Sequence, residues 1–307
     1  MKYDVLALGD YFLDLIFSGL KADPELGREV FSQDFSMLPG GTYNSVTTLH
    51  RLGVSVAWAV DFGNDAFSRY VKDMAEREGL DPVCFASKDY PLRNITVASS
   101  YRGDRQFISF SDKRRIDPGY IQRVLNTECT TLFLSGLYRG RLLALAAGHF
   151  KKQGTTLMMD GNSSDGTLED RDIRRALRQV DVFMPNGCEA RRLTGKSEIE
   201  DCLKELGQLS PLVVIKDGKQ GAYAIQAGQV YHVPCIPVKC VETTGAGDCF
   251  DAGFIKAHLD GLELVECLQW GNIAGGLSTQ ALGGTGFRFS PDVVLKYQKK
   301  YYKRPNT

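Results

Sequence analysis

Glu242-Thr243-Thr244-Gly245-Ala246-Gly247-Asp248 is the stretch on which the fold and chemistry of this chain depend. Directly after it, Phe250, Phe254 and Ala257 recur at helical spacing, so we predict a helix that begins inside the glycines. The first turn of a helix leaves backbone N–H groups without intrahelical partners at the positive end of the helix dipole. Because the glycines place no side chain there, the loop predicts an anion-binding site.

Asp248 is unusual at the start of this helix, because it places a carboxylate where an anion would bind. That position makes chemical sense for a group that accepts a proton beside the anion, so Asp248 is a candidate general base. The alternative is a structural carboxylate that interacts favourably with the helix dipole, as in many helices.

The seven residues resemble the signature of the PfkB, or ribokinase-like, carbohydrate kinases, Asp-Thr-x-Gly-Ala-Gly-Asp before a helix. The resemblance implies an ATP-dependent kinase whose catalytic base is Asp248. It also implies that the transferring phosphate is bound by the backbone amides of Gly245, Ala246 and Gly247. Glu242 departs from the signature, since the family usually has Asp at that position.

The composition favours a globular protein that binds a small molecule. The chain has 307 residues, of which 43% are hydrophobic, enough for a substantial core. Lys plus Arg equals Asp plus Glu at 37 each, so there is no basic surplus for nucleic acid or an anionic membrane. The first ten residues have a strand pattern, unlike a signal peptide or a membrane span, so we expect a cytoplasmic protein. Eight cysteines and four histidines are dispersed, which predicts reduced, buried thiols and no metal cluster.

Alternating strand and helix patterns from residue 131 to 184 predict a mainly parallel sheet with helices on both faces. With the resemblance, this implies a ribokinase-like, Rossmann-type α/β fold in a single domain over residues 1–307. Residues 11–38 have short apolar pieces broken by glycine and proline, and residues 91–112 contain two strand patterns around a Gly-Asp turn. We predict that these two ranges form a small β-rich lid.

Candidate substrate ligands lie in the N-terminal third of the chain. Asp14 follows a buried strand pattern that ends at Gly9, and Gly40, Gly41 and Asn44 open a helix pattern. The resemblance implies that these residues, with Arg105 from the lid turn, bind substrate hydroxyls. The family generally has one more residue between the glycine pair and the Asn. Asp14 could equally be an ordinary loop carboxylate, and Arg105 a solvated turn residue.

Candidate nucleotide ligands lie in the C-terminal half. Asn186 and Glu189, three apart at a helix start, match the family's Asn-x-x-Glu motif, and the resemblance implies that they organise Mg²⁺, with Glu189 acting through water. The other implied nucleotide ligands are Lys216, Gly218, Thr243 and Asn272. Asp160-Gly161-Asn162 resembles an Asp-x-Asn motif beside the site. Gly283–Gly286 resembles a loop near the adenine and cation sites, which leaves a monovalent cation as an open cofactor beside ATP and Mg²⁺.

Two common nucleotide-binding motifs are absent. Ala190 stands where a Walker loop ending in Gly195-Lys196-Ser197 needs its first glycine, and no Gly-x-Gly-x-x-Gly fingerprint occurs. These absences disfavour P-loop enzymes and dinucleotide dehydrogenases.

The sequence therefore predicts a kinase that phosphorylates a hydroxymethyl group of a small sugar. Two alternatives stay open, a nucleoside kinase of the same family and a catalytically silent regulator that binds sugar or nucleotide. Aromatic residues near the predicted site could stack on a base or fill the lid core: Tyr11, Phe12, Tyr43 and Phe107. Since lids of this family often pair between subunits, a homodimer through the lid is also an expectation.

Overall fold

The computed structural model describes residues 2–101, 104–114, 116–161, 166–288 and 290–302, with only the backbone at residues 100, 101, 104 and 105. In chain order its strands are β1 (Tyr3–Leu8), β2 (Tyr11–Ser18), β3 (Asp34–Gly41), β4 (Val56–Phe62), β5 (Phe85–Ser87), β6 (Asn94–Tyr101), β7 (Asp104–Ser111), β8 (Cys129–Leu134), β9 (Thr156–Asp160), β10 (Val182–Met184), β11 (Leu212–Lys216), β12 (Ala222–Gln226) and β13 (Gln229–Val233).

The larger sheet has nine strands in the order β13-β12-β11-β10-β9-β8-β1-β4-β5. From β11 to β5 all neighbouring strands are parallel, and β12 and β13 add an antiparallel edge. The helices are α1 (Thr42–Arg51), α2 (Ala66–Glu78), α3 (Pro118–Leu125), α4 (Arg141–Phe150), α5 (Arg171–Leu177), α6 (Gly187–Thr194), α7 (Ile199–Leu206), α8 (Ala246–Leu259), α9 (Leu264–Ser278) and α10 (Pro291–Tyr301). The predicted mainly parallel α/β architecture is confirmed.

Strand β1 shows why helices cover both faces of this sheet. Its side chains alternate between two hydrophobic cores, with Val5 and Ala7 in one and Leu6 and Leu8 in the other. All four are fully buried. A parallel sheet with apolar residues on both faces needs a helix layer on each.

The smaller sheet has four strands in the order β3-β2-β6-β7. β2 pairs antiparallel with β3 and parallel with β6, and β6 pairs antiparallel with β7. These strands fall within the two ranges expected to form the lid, except that β3 continues to Gly41. The extension follows from pairing, because Tyr11 and Phe12 of β2 lie opposite Gly41 and Gly40.

Side-chain caps define where two of these helices begin. Helix α9 begins where Glu263 and Glu266 form a reciprocal capping box. Helix α5 begins after Asp170, whose side chain caps its first turn. All eight cysteines carry free thiols, but the expectation that they are buried is wrong for Cys188 and Cys240, which are exposed. Among the described residues, no helix has the length and apolarity needed to cross a bilayer.

Helices α8 and α9 pack closely against one another. At Gly253 of α8 an added Cβ would lie 2.6 Å from the carbonyl oxygen of Trp270 and 2.8 Å from the Cβ of Ala274. Both distances are shorter than van der Waals contact, and one of the neighbouring atoms is backbone. Glycine at this position therefore allows α8, which carries Asp248, to lie against α9.

We expect Gly253→Ala to destabilise the protein by about 1–3 kcal/mol, because the methyl group would push α9 away. Gly148→Ala is the matched control, since Gly148 lies inside α4 with no atom within 4 Å of an added Cβ. It should be neutral or stabilising by up to about 1 kcal/mol, from the higher helix propensity of alanine. Denaturant unfolding of both variants measures the difference, and equal effects would contradict the packing argument.

Candidate active site

The candidate site lies at the carboxyl ends of the parallel strands, where open α/β sheets place their ligands. The starts of α1 and α8 also meet there. Asn44 of α1 donates from Nδ2 to Oδ2 of Asp248 on α8 at 3.0 Å, across 204 residues of sequence. The structure thus brings together two residues that the sequence predicted to act in one site.

Two glycines make room for the Asn44 amide. A Cβ at Gly245 would lie 2.6 Å from Nδ2 of Asn44, and one at Gly284 would lie 2.6 Å from its Cγ. Gly245 has a φ of 75°, a conformation that disfavours other residues. The Oδ1 atom of Asn44 is buried and finds no hydrogen-bond partner among the described residues. It is therefore an acceptor left without a partner beside Asp248.

Asp248 and Asp14 both have raised pKa values. Burial raises the pKa of Asp248 to about 7, and nearby Asp160 adds to the effect, while the hydrogen bond from Asn44 lowers it. Burial also raises the pKa of Asp14 to about 7, with repulsion from Glu242 as the second cause. A carboxylate with a pKa near neutrality suits proton transfer at physiological pH.

Asp14 lies against the glycine pair of β3. A Cβ at Gly40 would lie 2.3 Å from Oδ2 of Asp14, so Gly40 lets the carboxylate approach the backbone. Gly41 precedes α1 with a φ of 62°. The backbone N–H of Thr42 at the start of α1 then donates to the carbonyl oxygen of Asp10 at 3.1 Å. The strand, glycine pair and helix together place Asp14 and Asn44 in the same region.

Glu242 connects the loop before α8 to the glycine-rich loop after α9. Its Oε1 accepts the backbone N–H of Thr244 at 2.7 Å, and its Oε2 accepts that of Gly283 at 2.9 Å. The side chain is 8% exposed. The departure from the family's Asp thus gives a carboxylate that reaches both loops.

Lys216, at the end of β11, lies beneath the glycine loop. Its ammonium donates to Oδ1 of Asp160 at 2.7 Å and to both carboxylate oxygens of Asp251 at 2.9 and 3.0 Å. Burial by itself lowers the pKa of Lys216, but the two carboxylates raise it overall, so the side chain is charged. A Cβ at Gly247 would lie 3.7 Å from Nζ of Lys216. The positive charge therefore lies next to the predicted anion site.

Asn186 and Glu189 form a reciprocal capping box at the start of α6. Oδ1 of Asn186 accepts the N–H of Glu189 at 2.9 Å, and Oε2 of Glu189 accepts the N–H of Asn186 at 2.8 Å. A Cβ at Gly161 would lie 2.3 Å from Oε2 of Glu189, so this glycine makes room for the carboxylate. The motif thus caps the start of α6, and its role toward Mg²⁺ stays a prediction.

The carboxylates around Lys216 fit a magnesium site completed by phosphate and water. Asp160, Glu189, Asp248 and Asp251 surround a single ammonium group, so acidic groups are in excess. No group of three or more acidic, histidine or cysteine side chains among the described residues could hold a metal ion by itself. Mg²⁺ commonly binds through one or two carboxylates, substrate phosphates and several waters, and the donor set present fits that mode.

The remaining predicted ligands differ in exposure, and two of them fall wholly or partly outside the described residues. Gly218 is exposed in the turn after β11, and Thr243 is exposed before α8. Asn272 of α9 is buried and donates from Nδ2 to the carbonyl oxygens of Val233 and Pro234, which fastens the end of β13. The side chain of Arg105 and all of Asn162 lie outside the described residues.

Sequence reasoning missed Asp251, which is 0% exposed on α8 and binds Lys216. The signal was present, since an acidic residue interrupts the apolar run between Phe250 and Phe254 one turn after Asp248. A charged residue in a buried helical face needs a partner of opposite charge.

Comparisons with known proteins show the family and the fold of this chain. The family model described as "pfkB family carbohydrate kinase" matches residues 4–288. An uncharacterized sugar kinase from Archaeoglobus fulgidus is 30% identical over 255 residues, covering 76% of this chain and 95% of that protein. A ribokinase from Lactococcus lactis is 25% identical over 298 residues, covering 92% of each chain. The crystal structure of an E. coli protein described as a putative ribokinase II, in complex with ATP and Mg²⁺, superposes with a TM-score of 0.76 at 23% identity, covering 97% of this chain and 100% of that one.

We expect Lys216→Met to destabilise the protein by about 3–5 kcal/mol, because Asp160 and Asp251 would lose their buried counter-charge. Lys196→Met is the matched control, since its ion pair with Glu205 spans 3.8 Å between side chains that are 50% and 41% exposed. It should change the free energy of unfolding by no more than about 1 kcal/mol. Adding Asp251→Asn to Lys216→Met should recover part of the loss in denaturant unfolding. If Lys216→Met and Lys196→Met lowered the free energy of unfolding equally, the buried-charge argument would be contradicted.

Proposed function

The chain belongs to the PfkB family of ATP-dependent carbohydrate kinases, and from this premise we propose that it transfers the γ-phosphate of ATP to a hydroxymethyl group of a small sugar. The observation that carries the proposal is the hydrogen bond from Asn44 to Asp248 at the start of α8. It places a carboxylate with a raised pKa beside backbone that can bind phosphate. Phosphoryl transfer needs mainly positioning, charge neutralisation and a base for the attacking hydroxyl.

Asp248 is the proposed general base. With a pKa of about 7, a large share of its side chains is ionised at neutral pH and able to accept the proton of the substrate hydroxyl. Asn44 fixes the Oδ2 atom, which leaves the carboxylate in one orientation. The proton passes to Asp248 as the hydroxyl oxygen attacks the γ-phosphorus, and the bond from that phosphorus to the β,γ-bridging oxygen breaks, so that ADP leaves.

The amides of Gly245, Ala246 and Gly247 are proposed to bind the transferring phosphoryl group. The N–H of Ala246 also donates to the carbonyl oxygen of Thr243 at 3.2 Å, which holds the turn in shape. Lys216 lies beneath this turn and adds positive charge without leaving its two carboxylates. Fixed donors and charges of this kind stabilise the transition state because they need no reorganisation during the reaction.

Mg²⁺ bound to the nucleotide phosphates would offset the negative charge that develops on them. We propose that Glu189 holds its water ligands, with Asn186 orienting Glu189 through the capping box. Gly218, in the turn after β11, and Thr243 are proposed to contact the nucleotide, and Asn272 to shape its pocket by holding the end of β13. A monovalent cation remains part of the proposal through Glu242, which joins the two loops where the resemblance places one.

Substrate hydroxyls are proposed to bind Asp14, Gly40 and Gly41 on the smaller sheet and the buried Oδ1 of Asn44. That oxygen is an unsatisfied acceptor among the described residues, which a sugar hydroxyl would satisfy. Arg105 completes the proposed set from β7. The substrate would then be held by the lid on one side and by α1 and α8 on the other.

Burial removes Tyr11 and Tyr43 as stacking partners for a nucleoside base, whereas Phe12 is half-buried and Phe107 is exposed. Tyr11 is fully buried, and its hydroxyl contacts Ser68 and the carbonyl oxygen of Leu92. Tyr43 is 2% exposed, and its hydroxyl donates to the backbone of Met74. Both rings thus belong to the core, and neither offers a face to a base.

A kinase is favoured over a catalytically silent regulator because Asp248 and its partner Asn44 are both present.

We also propose a homodimer through the smaller sheet. Edge strand β7 exposes Phe107, Ile108 and Phe110, with exposed fractions of 54%, 75% and 51%. A stable interface buries at least about 1,000 Å², and exposed apolar strand residues are suited to it. Sedimentation at micromolar concentration should give a dimer, and Ile108→Lys should shift it toward monomer. A monomeric wild-type protein would contradict the proposal.

We expect Asp248→Asn to lower turnover by roughly 10²–10⁴-fold, because asparagine keeps the shape but cannot accept the proton. The measurement is ATP-dependent product formation over a panel of small sugars and nucleosides, followed by kcat for the variant on the accepted substrate. Folding should survive, since loss of a charge near a helix start costs about 0.3–1 kcal/mol. ATP affinity should be retained or increase as repulsion with the phosphates is relieved.

Three results would decide against parts of this proposal. Wild-type protein without activity on any panel member would favour the regulator. Activity confined to nucleosides would favour the nucleoside kinase. A normally folded Asp248→Asn variant with near-normal kcat would show that Asp248 is a helix-capping carboxylate, because asparagine is also a good cap.

A further inference from the structure

The chain passes between the two sheets at four places. It crosses from β1 to β2 through Gly9 and Asp10, and from β3 directly into α1 at Thr42. It crosses from β5 to β6 through residues 88–93, and from β7 to α3 through residues 112–117, of which 115 is outside the described residues. Any change in the angle between the sheets must therefore change the backbone conformation of these four crossings.

Charged side chains from three of the crossings meet at one buried carboxylate. Asp61, at the end of β4 with a side chain that is 0% exposed, lies 3.4 Å from Nη2 of Arg114 and 3.6 Å from Nζ of Lys88. Nη1 of Arg114 binds Oδ1 of Asp10 at 2.5 Å, and Lys88 binds Asp117 at 2.5 Å. The backbone of Asp10 accepts the N–H of Thr42, which adds the remaining crossing. We call these charged residues the hinge cluster: Asp10, Asp61, Lys88, Arg114 and Asp117.

Arg114 has the central position in the hinge cluster. Its guanidinium lies 4.0 Å from the ring centroid of Tyr120 in α3, and it bridges Asp10 of the first crossing to Asp61 of the large sheet. Arg123, also in α3, binds Asp61 from another side. The Arg114 side chain is 14% exposed, so solvent and salt screen these interactions weakly. A planar guanidinium can bind two carboxylates at once, which a lysine ammonium does with less directional control.

We propose that Arg114 is a positioning residue that sets the angle of the smaller sheet over the active site. The inference rests on the proposed function for its kinetic consequence, since the substrate is held by Asp14 on the smaller sheet and by Asn44 and Asp248 on the helices. With the hinge cluster intact, the smaller sheet stays near the angle at which both sets reach one substrate. When it is broken, a larger share of molecules has the sheet turned away.

We expect Arg114→Gln to raise the KM for the sugar by about tenfold or more, because apparent affinity falls with the fraction of molecules in the binding-competent conformation. Saturating sugar closes the lid again, so kcat and the KM for ATP should stay within about threefold of wild type. Damage confined to folding would instead lower the active fraction, and hence the apparent kcat, without changing KM.

Arg93→Gln is the matched control. Arg93 pairs with Asp112 at 2.8 Å and joins the third and fourth crossings, but it lies outside the hinge cluster with 44% exposure. Its sugar KM should stay within about twofold of wild type, as expected for a surface ion pair. Should Arg114→Gln fail to fold, Asp10→Asn is the second variant, because it breaks only the link to the first crossing. It should also raise the KM for the sugar while leaving kcat nearly unchanged.

Hydrogen exchange of the ligand-free protein tests the hinge independently of catalysis. Backbone amides of β6 and β7 in the smaller sheet should exchange faster in Arg114→Gln, while those of β8 and β9 in the large sheet should not change. Faster exchange without any sugar kinase activity would overturn the proposed function and leave the hinge standing. Unchanged exchange in the smaller sheet, or a fall in kcat at constant KM, would overturn the role of Arg114.

Discussion

The ammonium of Lys216 joins the parts of this protein that have to meet for chemistry. It lies between Asp160 at the end of β9 and Asp251 on α8, at distances of 2.7 to 3.0 Å. A buried charge without a partner is costly, so these ion pairs hold the large sheet and α8 in one relative position. That position brings the glycine turn before α8 over the ends of the strands, and with it Asp248. The packing of α8 on α9 through Gly253 supports the same arrangement from behind.

The same charges explain the chemistry of the site. Carboxylates exceed ammonium groups around Lys216. Asp248 in that group and Asp14 on the smaller sheet both have pKa values raised to about 7. Burial is the larger cause in both, with repulsion from neighbouring carboxylates second among the causes that raise them. Such a site favours a bound cation and can hold a carboxylate ready to accept a proton. Both properties are needed for moving a phosphoryl group onto a hydroxyl.

The two sheets divide the work between them. The large sheet and its helices hold the proposed base, the proposed phosphate-binding turn and the capping box at Asn186, whereas the smaller sheet carries Asp14 and the glycine pair. The proposed substrate must therefore contact both sheets. The orientation of one sheet relative to the other depends on the four short crossings. Charged residues gathered on Asp61 tie those crossings together. Ion pairs are suited to this place because they are directional and can form between segments too polar to pack as a core.

The sequence by itself determined the α/β architecture, the helix that begins inside residues 242–248 and the candidate base at Asp248. Each of these depends on local spacing, which is a property of neighbouring residues. Tertiary structure alone decided that Asn44 binds Asp248, that Asp251 shares Lys216 with Asp160, and that β3 extends to Gly41 by pairing with β2. These contacts join residues far apart in the chain, and the partner of a buried charge is chosen by the packing that brings it close. Periodicity shows that a residue is buried, but it carries no information about which distant group lies against it.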